Sequence, residues 1–408
     1  MNTGALRERV RRLPGMERVI PALEGLPPAY LVGGAVRDLL RGATAVDLDI
    51  AIEGDARSAA RALAERLGGT AREHERFGTA TVRADDLSFD LATTRRETYE
   101  RPGALPQVEP ASLEEDLARR DFAFNAMAIG LTGDDLGHLY DPHGGLADLE
   151  AGSVRVLHER SFSDDPTRLL RALRYEARLA FAMHPDTEQL ARRAVEEGAL
   201  GTVSGPRVRD ELMDLLAEPQ AAAGVARMAE LQIDRALHPA LAADAALVAS
   251  ASLGAVTIGA DRGLAAMAAL CSDAPERLEG WLGELHLTAA ERDAVARAAR
   301  NGERLARELH TREHSPSELA ALLAPEPPEA LALALALGAP PKPILRWAED
   351  LGHVRLEISG DDLIAAGIPE GPRVGRALKE TLARKLEGVV DGREQELATA
   401  LELAREES

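Results

Sequence analysis

Cysteine is almost missing from this sequence of 408 residues, in which Cys271 stands alone. A single cysteine cannot form a disulfide within the chain, so a disulfide-stapled secreted fold is excluded and the cytosol is favoured. Long apolar runs are missing too, and none reaches the roughly 20 residues that a bilayer-spanning helix needs. We therefore expect a cytoplasmic protein that has no membrane as a partner.

Lysine is nearly as scarce as cysteine. Only Lys342, Lys379 and Lys385 are lysines, and the other 45 basic residues are arginines. A Walker A phosphate loop and a protein-kinase site both depend on a lysine, so the first 341 residues exclude both kinds of site. The formal net charge of −20 argues against a broadly basic surface that coats nucleic acid. A local arginine groove is still compatible with that charge.

The character of the sequence changes along its length. Short β-like runs are concentrated in about the first 145 residues, namely AYLVGG, VDLDIAI, TATVRA and LSFDLAT, and such signals nearly vanish beyond about residue 150. The segment RSAARALAERLGG, between the second and third runs, is typical of a helix that ends at Gly-Gly. Beyond about residue 150 the segments are rich in Ala, Leu, Glu and Arg at helical spacing. This pattern predicts a head of strands and helices, followed by an all-α remainder.

Two aspartates interrupt the apolar strand-like segment AVDLDIAI, residues 45–52. Residues two apart on a strand project from the same face, so Asp47 and Asp49 are expected to lie side by side. Neighbouring anions repel unless a cation compensates them, and Mg²⁺ is the hard divalent ion that best suits such a pair. Asp90 in LSFDLAT would add a third carboxylate if its strand is a neighbour of the first. A solvent-facing strand edge is the alternative for the pair, and a surface aspartate for Asp90.

The stretch YLVGGAVRDLL precedes this pair and predicts a strand, a Gly33-Gly34 turn and a helix. Glycines let backbone N–H groups approach an anion closely, and the N-terminus of a helix favours phosphate. Arg37 on that helix would add a charge-assisted donor. A turn, an arginine and an Asp-x-Asp pair within seventeen residues together predict a nucleotide site.

Arginines continue in SLEEDLARRDFAFNAMAI, where Arg120 is a candidate for binding triphosphate oxygens. The alternative is a surface salt-bridge cluster with Glu114, Glu115 and Asp116.

The strongest helical pattern is SFSDDPTRLLRALRYEARLAF. Pro166 fits the first turn of this helix, with Asp165 as a possible N-cap. At about 100° per residue, four arginines fall in one stripe about 60° wide, which favours a face turned toward an anion. A solvated face is the alternative. The stripe consists of Arg168, Arg171, Arg174 and Arg178.

Asp165 and Arg168 also suggest how a nucleotide base could be selected. A carboxylate only accepts hydrogen bonds and a guanidinium only donates them. Cytosine and adenine each place a donor amine beside an acceptor ring nitrogen, whereas guanine and uracil place a carbonyl where that amine would be. The pair therefore predicts selection of CTP and ATP, although a plain N-cap role for Asp165 is equally open.

Five stretches, namely LVGGAVRD, DLDIAI, RRDFAFNAMAI, DPHGGLADL and SFSDDPTRLLRALRYEARLAF, occur in order between about residues 30 and 181. Together they resemble the class II tRNA nucleotidyltransferase and bacterial poly(A) polymerase family of the DNA polymerase beta-like superfamily. The resemblance implies an α+β fold, in which a polymerase beta-like nucleotidyltransferase head with a small mixed sheet precedes an all-α neck, body and tail. We place the catalytic head at 1–145, the nucleotide-selecting neck at 146–215, the body at 216–325 and the tRNA-binding tail at 326–408.

By motif position, the resemblance implies that Asp47 and Asp49 are catalytic and hold Mg²⁺, while Asp90 as a third catalytic carboxylate rests on strand geometry alone. It implies base recognition by Asp165 and Arg168. The family has Glu where this chain has Asp164, which leaves the role of that residue open, and Thr where this chain has Ala123. The complete predicted nucleotide site is Gly33, Gly34, Arg37, Arg120, Asp164, Asp165, Arg168, Arg171 and Arg174.

The reaction implied by the resemblance is attack of the tRNA 3′-hydroxyl on the α-phosphate of CTP or ATP, with release of pyrophosphate. Members that add only CC lack a flexible loop whose place is filled here by TTRRETYERPGALPQVEPA. We therefore favour complete CCA addition. A-only addition, poly(A) synthesis and a non-catalytic RNA-binding relative are the alternatives.

Overall fold

The computed structural model describes residues 2–43, 48–74 and 78–406, and the chain forms two compact units, Met1–Val208 and Arg209–Ser408. Asp47, the first aspartate of the predicted metal pair, lies outside the described residues. The finer division of the chain at residues 145, 215 and 325 stays a prediction.

Strands are found in the first unit. They are β1 (Ala29–Val32), β2 (Asp49–Ile52), β3 (Thr70–His74), β4 (Thr79–Ala84), β5 (Leu87–Thr93), β6 (Arg95–Thr98), β7 (Gln107–Pro110), β8 (Ala128–Gly130), β9 (Leu139–Tyr140), β10 (Ser153–Val154) and β11 (Ala182–Met183). Seven of them form one sheet in the order β3-β4-β5-β2-β1-β8-β9. Only β2 and β5 pair in parallel in this sheet, and the other neighbours are antiparallel. The small mixed sheet predicted for the head is confirmed.

Alternation along β5 determines which face of the sheet is covered. Leu87, Phe89 and Leu91 are buried, while Ser88 and Asp90 are exposed. The covering helix packs against β3, β4 and β5 through alanines and Leu63. Acidic side chains are therefore left on the opposite face, where a site can form.

The first unit also contains helices, and the chain continues as helices in the second unit. Those that begin in the first unit are α1 (Thr3–Arg11), α2 (Met16–Ala22), α3 (Gly34–Arg41), α4 (Ala56–Leu67), α5 (Leu113–Ala118), α6 (Gly145–Ala151), α7 (Ser161–Asp164), α8 (Arg168–Leu179), α9 (Pro185–Glu196) and α10 (Gly205–Ala217). The helix that covers the sheet is α4, which ends at Leu67 and is followed by Gly68 with φ +70°, as the Gly-Gly signal predicts. Left-handed backbone of this kind favours glycine at a helix end.

The prediction that Pro166 lies in the first turn of the arginine-rich helix is wrong. Helix α8 begins at Arg168, and Pro166 lies in the break after α7. Asp165 is extended, with φ −134° and ψ 91°, because a residue before proline is disfavoured in the helical region. Its Oδ1 still accepts a hydrogen bond from the Thr167 backbone N–H at 3.1 Å. The cap-like hydrogen bond therefore exists although the helix starts later.

Helices joined by loops make up the second unit, and no strand occurs among its described residues. Its helices are α11 (Ala221–Glu230), α12 (Ile233–Leu237), α13 (Ala245–Ile258), α14 (Arg262–Cys271), α15 (Pro275–Glu284), α16 (Ala289–Thr311), α17 (Pro316–Leu323), α18 (Pro328–Ala336), α19 (Pro341–Glu349), α20 (Gly360–Ala365), α21 (Pro372–Leu386) and α22 (Gly392–Glu406). Among the described residues, no single helix is long and apolar enough to cross a membrane, although α17 and α18 pass that length and composition test as a pair bent by 105°. A mostly helical remainder is confirmed, but the neck at 146–215 is not all-α, because the two-residue strands β10 and β11 pair in parallel there. Strands of two residues are too short to show a period-2 pattern in the sequence.

Helices α13 and α18 approach closely at Gly254, where a Cβ would lie 2.8 Å from the Ala332 carbonyl oxygen. Gly254→Ala is therefore expected to destabilise the second unit by about 1–3 kcal/mol, because backbone must shift to admit one methyl group. Thermal unfolding should show the loss. Gly280→Ala is the matched control, since a Cβ on that exposed glycine of α15 meets nothing within 4 Å. The control should gain about 0.5–1 kcal/mol, and equal melting of both variants would contradict the close approach.

Candidate active site

Asp49 and Asp90 are direct cross-strand partners on the parallel strands β2 and β5. Both side chains are exposed, and both line a cavity of about 290 Å³ on the uncovered face of the sheet. The condition that the sequence set for Asp90, a strand next to that of Asp49, is therefore met. Its catalytic role stays a prediction.

The turn between β1 and α3 lies against this cavity. Gly33 has φ +66°, and a Cβ built on it would lie 3.0 Å from Arg120 Nη1 and 4.0 Å from Asp49 Oδ2. A side chain at this position would be strained by the backbone and would crowd the arginine. Gly34 follows as the first residue of α3, whose N-terminus has no side-chain cap. The backbone N–H groups of this turn are therefore placed beside Arg120 and Asp49.

Arg120 is held by a carboxylate rather than free on the surface. Asp116, 2% exposed, accepts from Arg120 Nη2 at 2.9 Å and from Arg119 Nη2 at 2.8 Å. Burial would raise the pKa of Asp116, but the charges of Arg120 and Arg119 more than offset this and hold that pKa below its usual value. Arg120 therefore forms the salt bridge that one interpretation of the sequence predicted. It also lines the cavity beside Gly33, where the other interpretation would have it bind a triphosphate.

Arg37 lies behind the turn and is only 4% exposed. Its guanidinium donates to both oxygens of Asp38, at 2.8 and 3.0 Å, and to Asn125 Oδ1 at 3.0 Å. It also lies 5.5 Å from the ring centroid of Tyr175. These contacts make Arg37 a support of the turn, and direct contact with a triphosphate stays a prediction for it.

The arginine stripe of α8 meets the segment after Arg120. Arg171 Nη1 lies 3.3 Å from Asp121 Oδ2, and Asp121 Oδ1 accepts from the Phe122 backbone and from Asn125. Burial raises the pKa of Asp121, but Arg171 and Arg168 act against it, so the pKa is lowered overall. Part of the negative charge that the arginine stripe of α8 faces is therefore the carboxylate of Asp121.

Arg168 and Asp165 each keep one polar group unused. The guanidinium of Arg168, 4% exposed, donates to Ser161 Oγ at 2.6 Å and to the Arg119 carbonyl at 2.8 Å, while its buried Nε–H has no partner. Asp165 Oδ1 accepts from Thr167 and, at 2.7 Å, from Arg207 Nη2. Within the described part of the chain, Asp165 Oδ2 takes no hydrogen bond. A spare acceptor and a spare donor therefore remain, as base selection requires.

The two remaining predicted residues lie close by. Asp164 accepts from Arg160 at 2.9 Å and, together with Arg168, lines a second cavity of about 270 Å³. Arg174 lies 5.7 Å from the ring centroid of Tyr175. Every predicted site residue that the structure describes thus belongs either to the cavity of Asp49 or to the surroundings of α8.

The donor set at the first cavity fits a divalent cation. Asp49 and Asp90 supply carboxylate oxygens, the ligand type that Mg²⁺ prefers. Among residues 2–43, 48–74 and 78–406, no group of three or more His, Cys, Asp or Glu side chains is arranged as a metal site. A site with these two ligands needs further oxygens from Asp47, water or a substrate phosphate.

Sequence reasoning assigned no role to Thr81, Asp121 or Ser161. The sequence could have drawn attention to Asp121, because this residue directly follows Arg120 in the RRDF stretch. Thr81 and Ser161 had no such signal, since their partners Asp90 and Arg168 are brought to them by strand pairing and by the break before α8.

Two family profiles match this chain. The Poly A polymerase head domain matches residues 29–155, and the probable RNA and SrmB-binding site of polymerase A matches residues 180–244. A solved structure of a CCA-adding enzyme with CTP is similar over 99% of each chain, with a TM-score of 0.80 and 30% identity. The Thermotoga maritima CCA-adding enzyme complexed with tRNA is similar over 98% of this chain and 94% of its own, with a TM-score of 0.71 and 30% identity.

Curated relatives agree with these likenesses. The A-adding tRNA nucleotidyltransferase of Geobacter sulfurreducens is 35% identical over 99% of this chain but only 48% of its own length. The chain thus spans about half the length of that relative. The CC-adding tRNA nucleotidyltransferase of Deinococcus radiodurans is 34% identical over 90% of this chain and 87% of its own length. With most of both chains matched, and with the head profile covering the strands and turn that form the cavity, this chain belongs to the class II tRNA nucleotidyltransferase (CCA-adding enzyme) family.

Proposed function

We propose that this chain adds C, C and A to the 3′ end of tRNA from CTP and ATP, without a nucleic acid template. The observation that supports this most strongly is the convergence of Asp49, Asp90, Arg120 and the Gly33 turn on one cavity. Carboxylates suit a metal ion, and arginine with turn N–H groups suits a triphosphate. A cytosolic location belongs to the same proposal, on the strength of the single cysteine.

We propose Mg²⁺ as the cofactor, with Asp49, the sequence-assigned Asp47 and Asp90 as its protein ligands. When bound, such an ion lowers the pKa of an attacking hydroxyl and stabilises charge on the leaving phosphate. The tRNA 3′-hydroxyl releases its proton to solvent and its oxygen bonds to the α-phosphorus. The bond from the α-phosphorus to the oxygen shared with the β-phosphate breaks, and pyrophosphate leaves. Arg120 holds phosphate oxygens during this exchange because Asp116 fixes its guanidinium beside the turn.

We propose that Asp165 and Arg168 select the base. Asp165 Oδ2 accepts from the exocyclic amine, and the unpartnered Nε–H of Arg168 donates to the ring nitrogen beside it. Both nucleotides that enter CCA present this donor and acceptor. The four-part division, with a tRNA-binding tail at 326–408, completes the proposal.

The proposal is tested with three tRNA substrates that end before CCA, after the first C and after the second C. Each is incubated with CTP, ATP or both, and the products are sequenced. We expect completion to CCA and termination there. Long A tails on any RNA would indicate a poly(A) polymerase, and absence of any addition would indicate a non-catalytic relative. Either result would overturn the proposal.

A-only addition is the second candidate. The Geobacter relative and the A-adding enzyme of Halalkalibacterium halodurans, 43% identical over 51% of this chain, both favour it. The same assay separates the two functions. An A-adding enzyme extends only the substrate that already ends in CC, and it incorporates no C into either shorter tRNA.

A further inference from the structure

We propose that Thr81 is a positioning residue for the metal-binding carboxylates. It fixes one oxygen of Asp90 and thereby presents the other oxygen to an ion shared with Asp49. The inference rests on the proposed function, in which those carboxylates hold a divalent cation.

Strand pairing places these three side chains in one row. Thr81 on β4 is the cross-strand partner of Asp90 on β5, and Asp90 is the partner of Asp49 on β2. Directly opposed residues on neighbouring strands project from the same face and lie about 4.5–5.5 Å apart. All three line the same cavity. The row therefore runs across three strands and ends at the proposed metal ligands.

The contact between Thr81 and Asp90 is short and directional. Thr81 Oγ1 donates to Asp90 Oδ1 at 2.6 Å, which is the length of a hydrogen bond to an ionised acceptor. A threonine hydroxyl has one hydrogen, and an ionised carboxylate only accepts. In the part of the chain that the structure describes, no other hydrogen bond reaches the Asp90 side chain. Thr81 thus determines which carboxylate oxygen is left for a cation.

His74 on β3 extends the row by one residue. Its Nε2 lies 3.5 Å from Thr81 Oγ1 and the ring lines the same cavity. Because the hydroxyl hydrogen is directed to Asp90, His74 can engage Thr81 only as a donor, with hydrogen on Nε2. A contact of this length orients the hydroxyl weakly, and Thr81 remains the residue that acts on Asp90.

A threonine on a strand can also be present only because β-branched residues suit strands. Valine has nearly the same shape and lacks the hydroxyl, so Thr81→Val separates the two explanations. Thr79→Val is the matched control, because Thr79 is two residues earlier on β4, lines the same cavity and is the cross-strand partner of Ala92 rather than of an acid. Thr81→Ser keeps the hydroxyl and should restore the wild-type behaviour.

The primary measurement is Mn²⁺ binding to the protein without tRNA or nucleotide, by electron paramagnetic resonance. We expect Thr81→Val to weaken Mn²⁺ binding about 10- to 100-fold, as is usual when a group that orients a metal ligand is lost. Thr79→Val and Thr81→Ser should bind as the wild type does. In the tRNA assay, the Mg²⁺ concentration that gives half the maximal rate should rise for Thr81→Val by a similar factor to the loss of Mn²⁺ binding. At high Mg²⁺ concentration the rate should return to that of the wild type.

Unchanged Mn²⁺ binding in Thr81→Val, or failure of Thr81→Ser to restore binding, would overturn the inference. If thermal unfolding shows that Thr81→Val does not fold, Thr81→Ala against Thr79→Ala gives the same comparison. Failure of the proposed function is distinguishable, because a wild-type protein that binds Mn²⁺ but adds no nucleotide would contradict only the activity.

Discussion

Asp49→Asn is expected to lower the rate of nucleotide addition to tRNA by about a thousandfold or more, with little change in stability. Asparagine keeps the shape of the side chain but removes the charge that a divalent cation requires. Asp49 is exposed at the first residue of β2, so the fold does not depend on its burial. The measurement is the single-turnover rate of addition with saturating tRNA, CTP and ATP, together with the thermal unfolding midpoint.

Asp134→Asn is the control for this prediction, because Asp134 is an exposed aspartate in the short helical turn Gly133–Asp135. This substitution also removes one negative charge, but at a position outside the cavity, so it should leave the rate unchanged. An Asp49→Asn enzyme that retains a tenth or more of the wild-type rate would contradict the assignment of Asp49 as a metal ligand.

The four strands predicted from the sequence, β1, β2, β4 and β5, all have buried residues. LSFDLAT alternates apolar and polar residues, and β5 buries Leu87, Phe89 and Leu91 as that alternation requires. The sequence could state only as a condition that the strand of Asp90 is a neighbour of the strand of Asp49, because periodicity predicts the face of a side chain and not the neighbour of its strand. The structure meets this condition by parallel pairing of β2 with β5. That pairing is what brings Asp90 to Asp49.

Three of the strands that the sequence analysis missed, β3, β6 and β7, lack such a pattern. Strand β3, TAREH, has no fully buried residue, and it is held by its pairing with β4. Strands β6 and β7 form a two-stranded hairpin within the segment assigned to a loop, and most of their residues are exposed. Backbone pairing stabilises these strands, and backbone hydrogen bonds leave no mark on side-chain periodicity.

At the site, the arginine pattern likewise did not identify the partners of the arginines. Their number and spacing predicted an anionic environment, but the sequence could not separate a ligand from a carboxylate of the protein. Asp116 holds Arg120, and Asp121 faces Arg171. Arg37 was expected to donate to a phosphate bound at the Gly33-Gly34 turn, but its side chain is buried behind that turn. Whether a charge is buried depends on tertiary packing, which no local motif contains.

Asp165→Asn is expected to change which nucleotides are added. The new side chain keeps one oxygen for Thr167 and Arg207, whose hydrogen bonds go to Oδ1, and converts the spare acceptor into an amide donor. A lost hydrogen bond that leaves a buried group unpaired costs about 1–3 kcal/mol, so kcat/KM for CTP should fall about 10- to 100-fold. The amide can now donate to O4 of uracil or O6 of guanine, so addition of U and G should rise. The rise should be limited, because uracil N3–H and guanine N1–H are donors that still face the Nε–H donor of Arg168.

The ratio of kcat/KM for CTP to that for UTP is therefore the most sensitive measurement. We expect this ratio to fall at least tenfold, and further than the fall in the CTP value alone, because discrimination changes at both substrates. Asp186→Asn, at an exposed aspartate in the first turn of α9, should leave the ratio unchanged. A variant at Asp165 whose kcat/KM falls with CTP but does not rise at all with UTP or GTP would show that this residue only shapes the break before α8. In that case the cap-like hydrogen bond to Thr167, rather than contact with the base, would be its function.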